Sequence, residues 1–327
     1  MSDSTNTGQK SYDVIIVGVG PAGLTASIYA SRYKLSNLII GKLVGGELSL
    51  AHKVENYPGF ESISGIDLSA KWKEQAEKLG ANILLKEVGK IQKLDDGSFL
   101  VQVSENEQYR ARTVIVATGS ERRRLNIPGE TEYTGKGVSY CTTCDAPFFK
   151  DKTVALIGGS DSAVSGAVHT AEYAKKVYII YRKDVLRAEP IWLAEWKQIL
   201  GQKRGEAIFN TNITEILGDS MKVTGVKLDK PYQGKDTLTL DGVFIEIGGV
   251  PGTALVQPLG IELDETGHVK VNVQMETNVI GLFCAGDMVD KSIVMKQAIT
   301  AMAQGAKAAG SAYKYIKNQA APQIRGI

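Results

Sequence analysis

Two of the three cysteines, Cys141 and Cys144, stand in the segment Cys-Thr-Thr-Cys and are followed directly by Asp145. A C-x-x-C pair is typical of either a metal knuckle or a redox-active dithiol. A zinc site needs four ligands, but the chain offers only one further cysteine, Cys284, and three scattered histidines. We therefore interpret the pair as a reversible disulfide and expect no metal site.

A carboxylate beside a dithiol can donate and accept protons as thiolates form, which is the role we predict for Asp145. An aspartate in this place can equally cap a helix or occupy a turn. Cys284 lies in an apolar, strand-like run and is expected to be a buried core thiol. We expect structural or surface roles for the histidines at positions 52, 169 and 268.

A glycine-rich turn near the N-terminus predicts a dinucleotide site. The apolar run Tyr12 to Val17 has the character of a buried parallel strand, and a helix is predicted from Leu24 to Tyr33. The glycines between them permit a tight bend, and the free N–H groups of the helix suit a pyrophosphate; this turn comprises Gly18, Gly20, Pro21, Ala22 and Gly23. The next strand ends at Gly41-Lys42 without an acid for ribose hydroxyls, so another element must hold the adenosine.

A second unit repeats this pattern about 140 residues later. A strand at Thr153 to Ile157 precedes a turn, a helix to about Ala174 and a strand from Val177 to Tyr181. The turn contains Gly159, Ser160, Asp161 and Ser162, with a serine where the middle glycine normally stands. Basic residues suited to a 2′-phosphate, and hence to NADP, follow the second strand: Arg182, Lys183 and Arg187. They could equally form a solvated basic face. Trp192 and Trp196, four residues apart, fit a helix core stripe.

The two repeats predict an α/β protein with two Rossmann-like nucleotide-binding domains, the second inserted into the first. The similar strand-and-turn segments Ala111 to Gly119 and Gly242 to Gly249 are interpreted as the crossing points. The outer domain is then 1–120 plus 250–327, and the insert is 121–249. Residues 318–327 have the composition of a loose tail.

Composition excludes several classes of protein. The chain has 327 residues with 38 Lys+Arg against 36 Asp+Glu, and 43% of its residues are hydrophobic. This balance excludes a strongly basic nucleic-acid binder and an acidic disordered chain. No stretch reaches the ~18 uninterrupted apolar residues of a membrane helix. The odd cysteine count, together with a polar opening segment, favours a cytoplasmic protein over a disulfide-stapled secreted one.

Several motifs together resemble one family. The segment Cys141 to Phe149 is similar to the redox loop of the low-molecular-weight thioredoxin reductases, which are flavin-dependent pyridine nucleotide-disulfide oxidoreductases. The resemblance runs in order from about residue 12 to 315, and its other motifs are Gly45-Gly46-Glu47-Leu48, Val54-Glu55-Asn56-Tyr57-Pro58-Gly59, Ala117-Thr118-Gly119, Ala285-Gly286-Asp287 and Lys296-Gln297-Ala298.

The resemblance implies FAD in the outer domain, NADPH in the insert, a thioredoxin or thioredoxin-like substrate and a homodimer. It places Cys144 facing the flavin, Cys141 attacking the substrate's disulfide and Asp145 exchanging protons. The carboxylate of Asp287 would hold the ribityl chain. The remaining flavin contacts implied beyond the first glycine turn are Gly41, Gly45, Gly46, Glu47, Leu48, Asn56, Val88, Ala117, Thr118, Gly119, Gly286, Lys296, Gln297 and Ala298.

Three departures from the family pattern leave more than one function open. Glu47 replaces a usual glutamine, Ser160 replaces a glycine, and Tyr181-Arg182-Lys183 replaces His-Arg-Arg, whereas Arg187 is retained. Relatives with altered pyridine-nucleotide motifs use reduced ferredoxin or a deazaflavin as donor. The same scaffold also serves a dithiol oxidase, a ferredoxin–NADP reductase relative, a flavin-bound redox sensor and an alkyl-hydroperoxide reductase subunit, which compete with the reductase as interpretations.

The resemblance also predicts a domain movement. The redox loop and the nicotinamide site lie in one insert and cannot both contact the single available flavin face. We therefore expect the insert to rotate about its connections near Thr118–Glu121 and Gly248–Gly252, where glycines can absorb large backbone changes.

Overall fold

The computed structural model describes residues 10–289 and 295–317. The predicted tail at 318–327 lies outside the described residues. The chain divides into two units, one formed by Met1–Glu121 with Pro251–Ile327 and the other by Arg122–Val250. No helix in the described ranges has the length and apolarity needed to cross a bilayer.

The first part of the chain alternates strands and helices around a largely parallel sheet. Its elements are β1 (Ser11–Val17), α1 (Pro21–Arg32), β2 (Asn37–Ile40), α2 (Gly65–Lys78), β3 (Asn82–Leu84), β4 (Lys90–Lys93), β5 (Phe99–Ser104), β6 (Glu107–Val116) and β7 (Ser120–Arg122). Short 3-10 helices lie at Gly46–Leu50, Ala146–Phe149 and Gln257–Leu259.

The second unit has the same alternation and adds an antiparallel meander. Its elements are β8 (Val138–Ser139), α3 (Thr142–Asp145), β9 (Thr153–Ile157), α4 (Asp161–Thr170), β10 (Lys176–Ile180), α5 (Pro190–Gly201), β11 (Gly205–Ile208), β12 (Ile213–Gly218), β13 (Val223–Tyr232), β14 (Lys235–Thr239) and β15 (Gly242–Ile245). The chain then continues through β16 (Gly249–Pro251), β17 (Leu282–Cys284) and α6 (Ala298–Lys317).

The large sheet of the first unit has the order β3-β2-β1-β6-β5-β4, with β17 also pairing with β6. Strands β1, β2, β3, β6 and β17 run parallel, whereas β4, β5 and β6 form antiparallel neighbours. Along β1, Val14 and Ile16 enter one hydrophobic cluster, and Ile15 and Val17 enter another. Both faces of the sheet are therefore covered, which explains why the strand is a continuous apolar run.

The second unit contains a parallel sheet of order β11-β10-β9-β15-β8 and the antiparallel sheet β12-β13-β14. Strand β9 repeats the pattern of β1, because Val154 and Leu156 pack on one face while Ala155 and Ile157 pack on the other. Trp196 in α5 is buried and Trp192 packs beside it, as their spacing predicts. The two connections, β7 and β16, pair with each other.

Element boundaries differ from the sequence prediction mainly at helix ends. Helix α1 begins at Pro21 rather than Leu24 because proline suits the first helical position. Helix α4 ends at Thr170, four residues before the predicted end. The guanidinium of Arg204, distant in sequence, donates to the carbonyl oxygens of Ala171 and Ala174 and so bonds the turn that follows the helix.

Candidate active site

The predicted redox loop begins where β8 ends. Cys141 and Cys144 are joined by a disulfide with an S–S distance of 2.08 Å and a Cα–Cα distance of 5.3 Å, as their spacing predicts. The main-chain N–H of Cys144 donates to Sγ of Cys141 at 3.1 Å. Cys141 is half-buried and Cys144 is exposed. An N–H directed at a sulfur stabilises a thiolate there once the disulfide is reduced.

Residues before the loop hold Cys141 in place, and no sequence motif identifies them. Oγ of Ser139 accepts the N–H of Cys141 at 3.0 Å and donates to its carbonyl oxygen at 3.3 Å. The hydroxyl of Tyr140 donates to the carboxylate of Glu130 at 2.7 Å. Burial and that carboxylate raise the pKa of Tyr140 to about 12, so its hydroxyl stays a donor at neutral pH.

Glu130 is only 2% exposed. Its carboxylate also accepts the main-chain N–H groups of Leu125, at 2.9 Å, and Asn126, at 2.6 Å. These bonds offset the cost of burying the charge. The residue lies in a charged stretch whose pattern resembles a solvated loop, so the sequence carried no signal of this burial.

Asp145 ends α3 directly after the disulfide. Its side chain does not cap the following 3-10 helix and forms no hydrogen bond within residues 10–289 and 295–317. The residue lines a cavity of about 370 Å³ whose other charged residues are Lys136, Lys152, Lys222 and Asp241. Asp145 thus occupies the N-cap position of the 3-10 helix Ala146–Phe149 with its carboxylate uncommitted to the cap, and its role in proton exchange stays a prediction.

The first glycine turn has the geometry of a pyrophosphate cradle. Gly18 has φ +116°, and a Cβ there would lie 2.2 Å from the carbonyl oxygen of Ala117. A Cβ on Gly23 would lie 1.9 Å from the carbonyl oxygen of Gly18. Around Gly20, by contrast, the nearest atom to a Cβ is the carbonyl oxygen of Gly45 at 3.9 Å, and no side chain caps α1. The space above the helix N-terminus therefore suits a phosphate group.

Two distant segments of the first unit converge on this turn. The N–H of Gly45 donates to the carbonyl oxygen of Val19 at 2.8 Å, which brings the segment 45–48 to the turn. The N–H of Gly286 donates to Oε1 of the buried Gln304 at 2.7 Å, and a Cβ on Gly286 would lie 3.2 Å from Cβ of Ala22. The turn carrying Asp287 thus adjoins the start of α1.

Asp287 is half-buried, and its burial raises the pKa of its carboxyl, an effect partly offset by the charges of Lys296 and His268. Nδ2 of Asn56 donates to Oε1 of Gln297 at 3.0 Å. Carboxylate and amide groups placed in this way suit the hydroxyls and ring edge of a flavin nucleotide. The residues present therefore fit FAD.

The other predicted flavin contacts are placed as follows. Oγ1 of Thr118 donates to the carbonyl oxygen of Gly252 at 2.7 Å, and Nζ of Lys296 donates to Oγ of Ser120 at 3.2 Å. The side chain of Val88 packs in the hydrophobic core, which leaves only its main chain for ligand contact. The remaining predicted residues lie at element ends: Gly41 after β2, Glu47 and Leu48 in the first 3-10 helix, Ala117 and Gly119 after β6, and Ala298 at the start of α6.

Replacing Gly23 by alanine is expected to abolish FAD binding, because the added Cβ overlaps the carbonyl oxygen of Gly18 and the turn cannot close. The ratio of flavin to protein absorbance after purification measures this loss. Gly89→Ala is the matched control, since a Cβ there would meet no atom closer than 3.8 Å. Equal flavin content in the two variants would contradict the assignment of this turn.

The second glycine turn reproduces the geometry of the first. Gly158 has φ +142°, and a Cβ there would lie 2.2 Å from the carbonyl oxygen of Glu246. Ser160 has φ −99° and ψ −175°, against −81° and −174° at Gly20. The serine therefore keeps the backbone of the turn and adds only a hydroxymethyl group. Asp161 accepts the N–H of Glu189 at 2.6 Å, and Ser162 lies in the first turn of α4.

The three predicted basic residues differ in how closely the structure ties them to this turn. The N–H of Arg187 donates to the carbonyl oxygen of Gly159 at 2.7 Å, and Ser160 and Arg187 form an isolated β-bridge. Arg182 and Lys183 are exposed just after β10. Cys284, in contrast, is fully buried and burial raises the pKa of its thiol, as expected for a core cysteine.

Comparisons of the sequence and of the structure with known proteins identify the same family. The sequence model of a family described as pyridine nucleotide-disulphide oxidoreductase matches residues 12–305. The thioredoxin reductase of Listeria innocua serovar 6a is 41% identical over 311 residues, covering 94% of this chain and 95% of that protein. The crystal structure of Lactococcus lactis thioredoxin reductase in its FR conformation matches with a TM-score of 0.87 at 36% identity, covering 94% of this chain and 100% of that one.

A second solved structure, that of T. acidophilum thioredoxin reductase, matches with a TM-score of 0.86 at 38% identity and covers 94% of this chain and 99% of that one. The predicted fold class, with two Rossmann-like domains, is confirmed by these similarities.

Proposed function

Because the chain belongs to the pyridine nucleotide-disulphide oxidoreductases, and within them to the thioredoxin reductases, we propose that it is an FAD-dependent thioredoxin-disulfide reductase. Electrons would pass from NADPH through FAD and the Cys141–Cys144 disulfide to a thioredoxin or thioredoxin-like protein. The observation that carries the proposal is this disulfide, set on a loop of a chain that also has two tight glycine turns.

FAD, when bound, supplies the two-electron redox chemistry that links the pyridine nucleotide to the disulfide. Once the pair is reduced, the thiolate of Cys141 attacks one sulfur of the substrate's disulfide and forms a mixed disulfide. The thiolate of Cys144 then attacks Cys141, re-forms the intramolecular disulfide and releases the second substrate thiolate. Asp145 accepts the thiol proton and returns a proton to the departing thiolate. In total, one disulfide is reduced and the other is formed.

The surface beside the redox loop supports a protein substrate. Phe148 is 79% exposed, which is unusual for a large apolar side chain. The adjacent cavity brings together Lys136, Lys152 and Lys222. An aromatic anchor beside a basic cavity suits a protein that presents an apolar patch rimmed by acidic groups around its disulfide.

NADPH is the donor that the family and the second turn support. Thioredoxin reductases of this family bind FAD and depend on NADPH. Ser160 leaves the backbone of the turn unchanged, and three basic residues of the type that suits a 2′-phosphate, Arg182, Lys183 and Arg187, follow β10. A ferredoxin donor has weaker support, because a ferredoxin-flavin thioredoxin reductase from Clostridium acetobutylicum matches with a TM-score of 0.51 at 33% identity, against 0.87 for the Lactococcus lactis thioredoxin reductase. The dithiol oxidase and the redox sensor have no comparable support.

The direct test is anaerobic titration of the flavin-loaded protein with NADPH, NADH and reduced ferredoxin, with flavin bleaching as the readout. NADPH is expected to bleach the flavin at stoichiometric amounts, and addition of an oxidised thioredoxin should restore the colour. Bleaching by ferredoxin alone would overturn the donor and leave the disulfide reductase in place. A bleached flavin that thioredoxin cannot reoxidise would overturn the reductase itself.

We also propose that residues 1–120 with 250–327 form the FAD-binding domain and residues 121–249 the NADPH domain that carries the redox loop. The two glycine turns support this assignment, because each lies between a buried strand and a helix in its own unit. A homodimer and a cytoplasmic location, which follow from the resemblance and the cysteine usage, belong to the same proposal.

The proposed rotation of the insert can be tested at one connection. Gly248 has φ +86°, and an added Cβ would meet no heavy atom within 4 Å, so alanine acts there only through the backbone. A left-handed alanine costs about 1–2 kcal/mol, so Gly248→Ala is expected to slow turnover by up to about tenfold while FAD stays bound. Stopped-flow measurement of each half-reaction should show that the step between them is the slow one.

Gly234→Ala is the control for this variant. Gly234 has φ +78° in the β13–β14 hairpin, and its added Cβ would also have no neighbour within 4 Å. The backbone strain is therefore similar, but Gly234 lies in a hairpin turn outside both connections. Equal turnover in Gly248→Ala and Gly234→Ala would show that Gly248 is not a hinge.

A further inference from the structure

Gly159 and Tyr181 pack closely against each other at the second glycine turn. Tyr181 is only 6% exposed. A Cβ on Gly159 would lie 2.5 Å from its ring, so the ring occupies space that any other residue at position 159 would fill. Main-chain bonds fix the backbone of Tyr181 on both sides, from its N–H to Ile208 at 2.9 Å and from the N–H of Thr211 to its carbonyl oxygen at 3.2 Å. The phenol therefore has one position relative to the turn.

The hydroxyl of that phenol meets Arg187. Nε of Arg187 donates to the hydroxyl oxygen of Tyr181 at 3.0 Å, and the main chain of Arg187 is bonded to Gly159. Arg187 is thus held at two points, through its main-chain N–H and through Nε of its otherwise exposed side chain. Its two terminal amino groups, Nη1 and Nη2, make no hydrogen bond within the described ranges. A guanidinium held through Nε presents this pair of donors in a fixed plane, the arrangement that binds a phosphate through two parallel bonds.

We propose that Tyr181 is a positioning residue for donor specificity: its hydroxyl fixes the guanidinium of Arg187 so that Nη1 and Nη2 face a 2′-phosphate bound at this turn. This inference rests on the proposed function, in which the turn takes NADPH. An arginine free to rotate would lose more side-chain entropy on binding the phosphate. The hydroxyl of Tyr181 already restricts the side chain of Arg187 before the nucleotide binds. Discrimination between NADPH and NADH therefore depends on Tyr181, a residue that touches neither nucleotide.

The test uses Tyr181→Phe, which keeps the ring against Gly159 and removes only the hydroxyl. Calorimetric binding of adenosine 2′,5′-bisphosphate and of 5′-AMP to the flavin-loaded protein isolates the 2′-phosphate contribution without any electron transfer. Wild-type protein should prefer the bisphosphate. The variant should lose between about twofold and tenfold of that preference, the range for one hydrogen bond, with unchanged affinity for 5′-AMP.

Two further variants separate positioning from general structural damage. Tyr178→Phe likewise removes a tyrosine hydroxyl, from strand β10, which ends directly before Tyr181, and should leave the preference unchanged. In an Arg187→Leu background, where the preference is already lost, Tyr181→Phe should have no additional effect, because coupled residues give non-additive changes. An additive loss in that background would overturn the inference.

The remaining outcomes distinguish the inference from the function on which it rests. A wild-type preference that Tyr181→Phe retains would overturn the positioning role, while NADPH would stand as donor. A wild-type protein without any preference for the bisphosphate would overturn both this inference and NADPH as donor, but not disulfide reduction. If Tyr181→Phe lowered the affinity for the bisphosphate and for 5′-AMP equally, the residue would only maintain the shape of the turn. This result would also contradict the proposal.

Discussion

Replacing Cys141 or Cys144 by serine is expected to abolish reduction of a thioredoxin substrate while FAD stays bound. Each sulfur is half of the single disulfide within the described residues, and the residues that fit FAD lie in other segments. The loss of turnover should be on the order of 10³-fold or more, the scale seen when a covalent nucleophile is removed. NADPH-dependent turnover with an oxidised thioredoxin measures it, and flavin absorbance measures the retained cofactor.

The two variants should differ in a way that assigns the roles. Cys144→Ser retains the attacking thiol, so it should accumulate a mixed disulfide between Cys141 and a thioredoxin, visible on a non-reducing gel. Cys141→Ser should form none if Cys141 is the attacking sulfur. Cys284→Ala is the control, because this thiol is buried in the core and its raised pKa keeps it protonated. Near wild-type turnover in either serine variant would show that the redox pair has been misassigned.

The sequence predicts most of the framework because local patterns carry it. Strand β1 is a continuous apolar run since both of its faces are buried, and the following turn needs glycine because Gly18 has positive φ and Gly23 contacts a carbonyl oxygen. The C-x-x-C spacing likewise predicts the disulfide, since two intervening residues bring the sulfur of Cys141, the N-cap of α3, within bonding distance of Cys144 in the first turn of that helix.

Residues whose role depends on distant partners are not predictable in this way. Glu130 gives no sign in the sequence that its carboxylate is buried against Tyr140. The position of Tyr181 directly after a strand does not indicate whether its ring is exposed or buried. Only the fold shows that the ring packs against Gly159. The sequence pattern places the end of α4 too late because it does not show that Arg204, 30 or more residues away in sequence, bonds the carbonyl groups of Ala171 and Ala174 just beyond the helix. Such contacts are set by the packing of the whole unit, and sequence spacing does not encode them.

Ser160 illustrates a departure whose meaning only the structure could decide. A serine in this place is a reason to doubt phosphate binding, because a glycine normally stands there. Its backbone angles match those of Gly20, and neither residue has positive φ. Glycine is therefore not required by the backbone at this position, and the hydroxyl of the serine adds a donor at the helix N-terminus, where an anion would bind.

Asp145→Asn is expected to slow turnover by ~10²–10⁴, the usual span for a positioned acid–base group. Asparagine has the same shape, but it cannot take a proton from the Cys144 or Cys141 thiol or return one to the departing substrate thiolate. The carboxylate makes no hydrogen bond within the described part of the chain, so the substitution should break no structural contact. Flavin content and thermal unfolding should therefore match those of the wild-type protein, and only turnover should fall.

The control for this variant is Asp151→Asn, an exposed aspartate with φ +59° six residues farther along. Asparagine tolerates that left-handed conformation, and the change removes one negative charge from an exposed position close in sequence that does not line the cavity of Asp145. If both variants slowed turnover equally, the effect would be one of net charge on docking, expressed in KM. A fall in kcat confined to Asp145→Asn identifies proton transfer, because the lysine-lined cavity still binds the substrate while the thiolates can no longer be protonated in step with disulfide exchange.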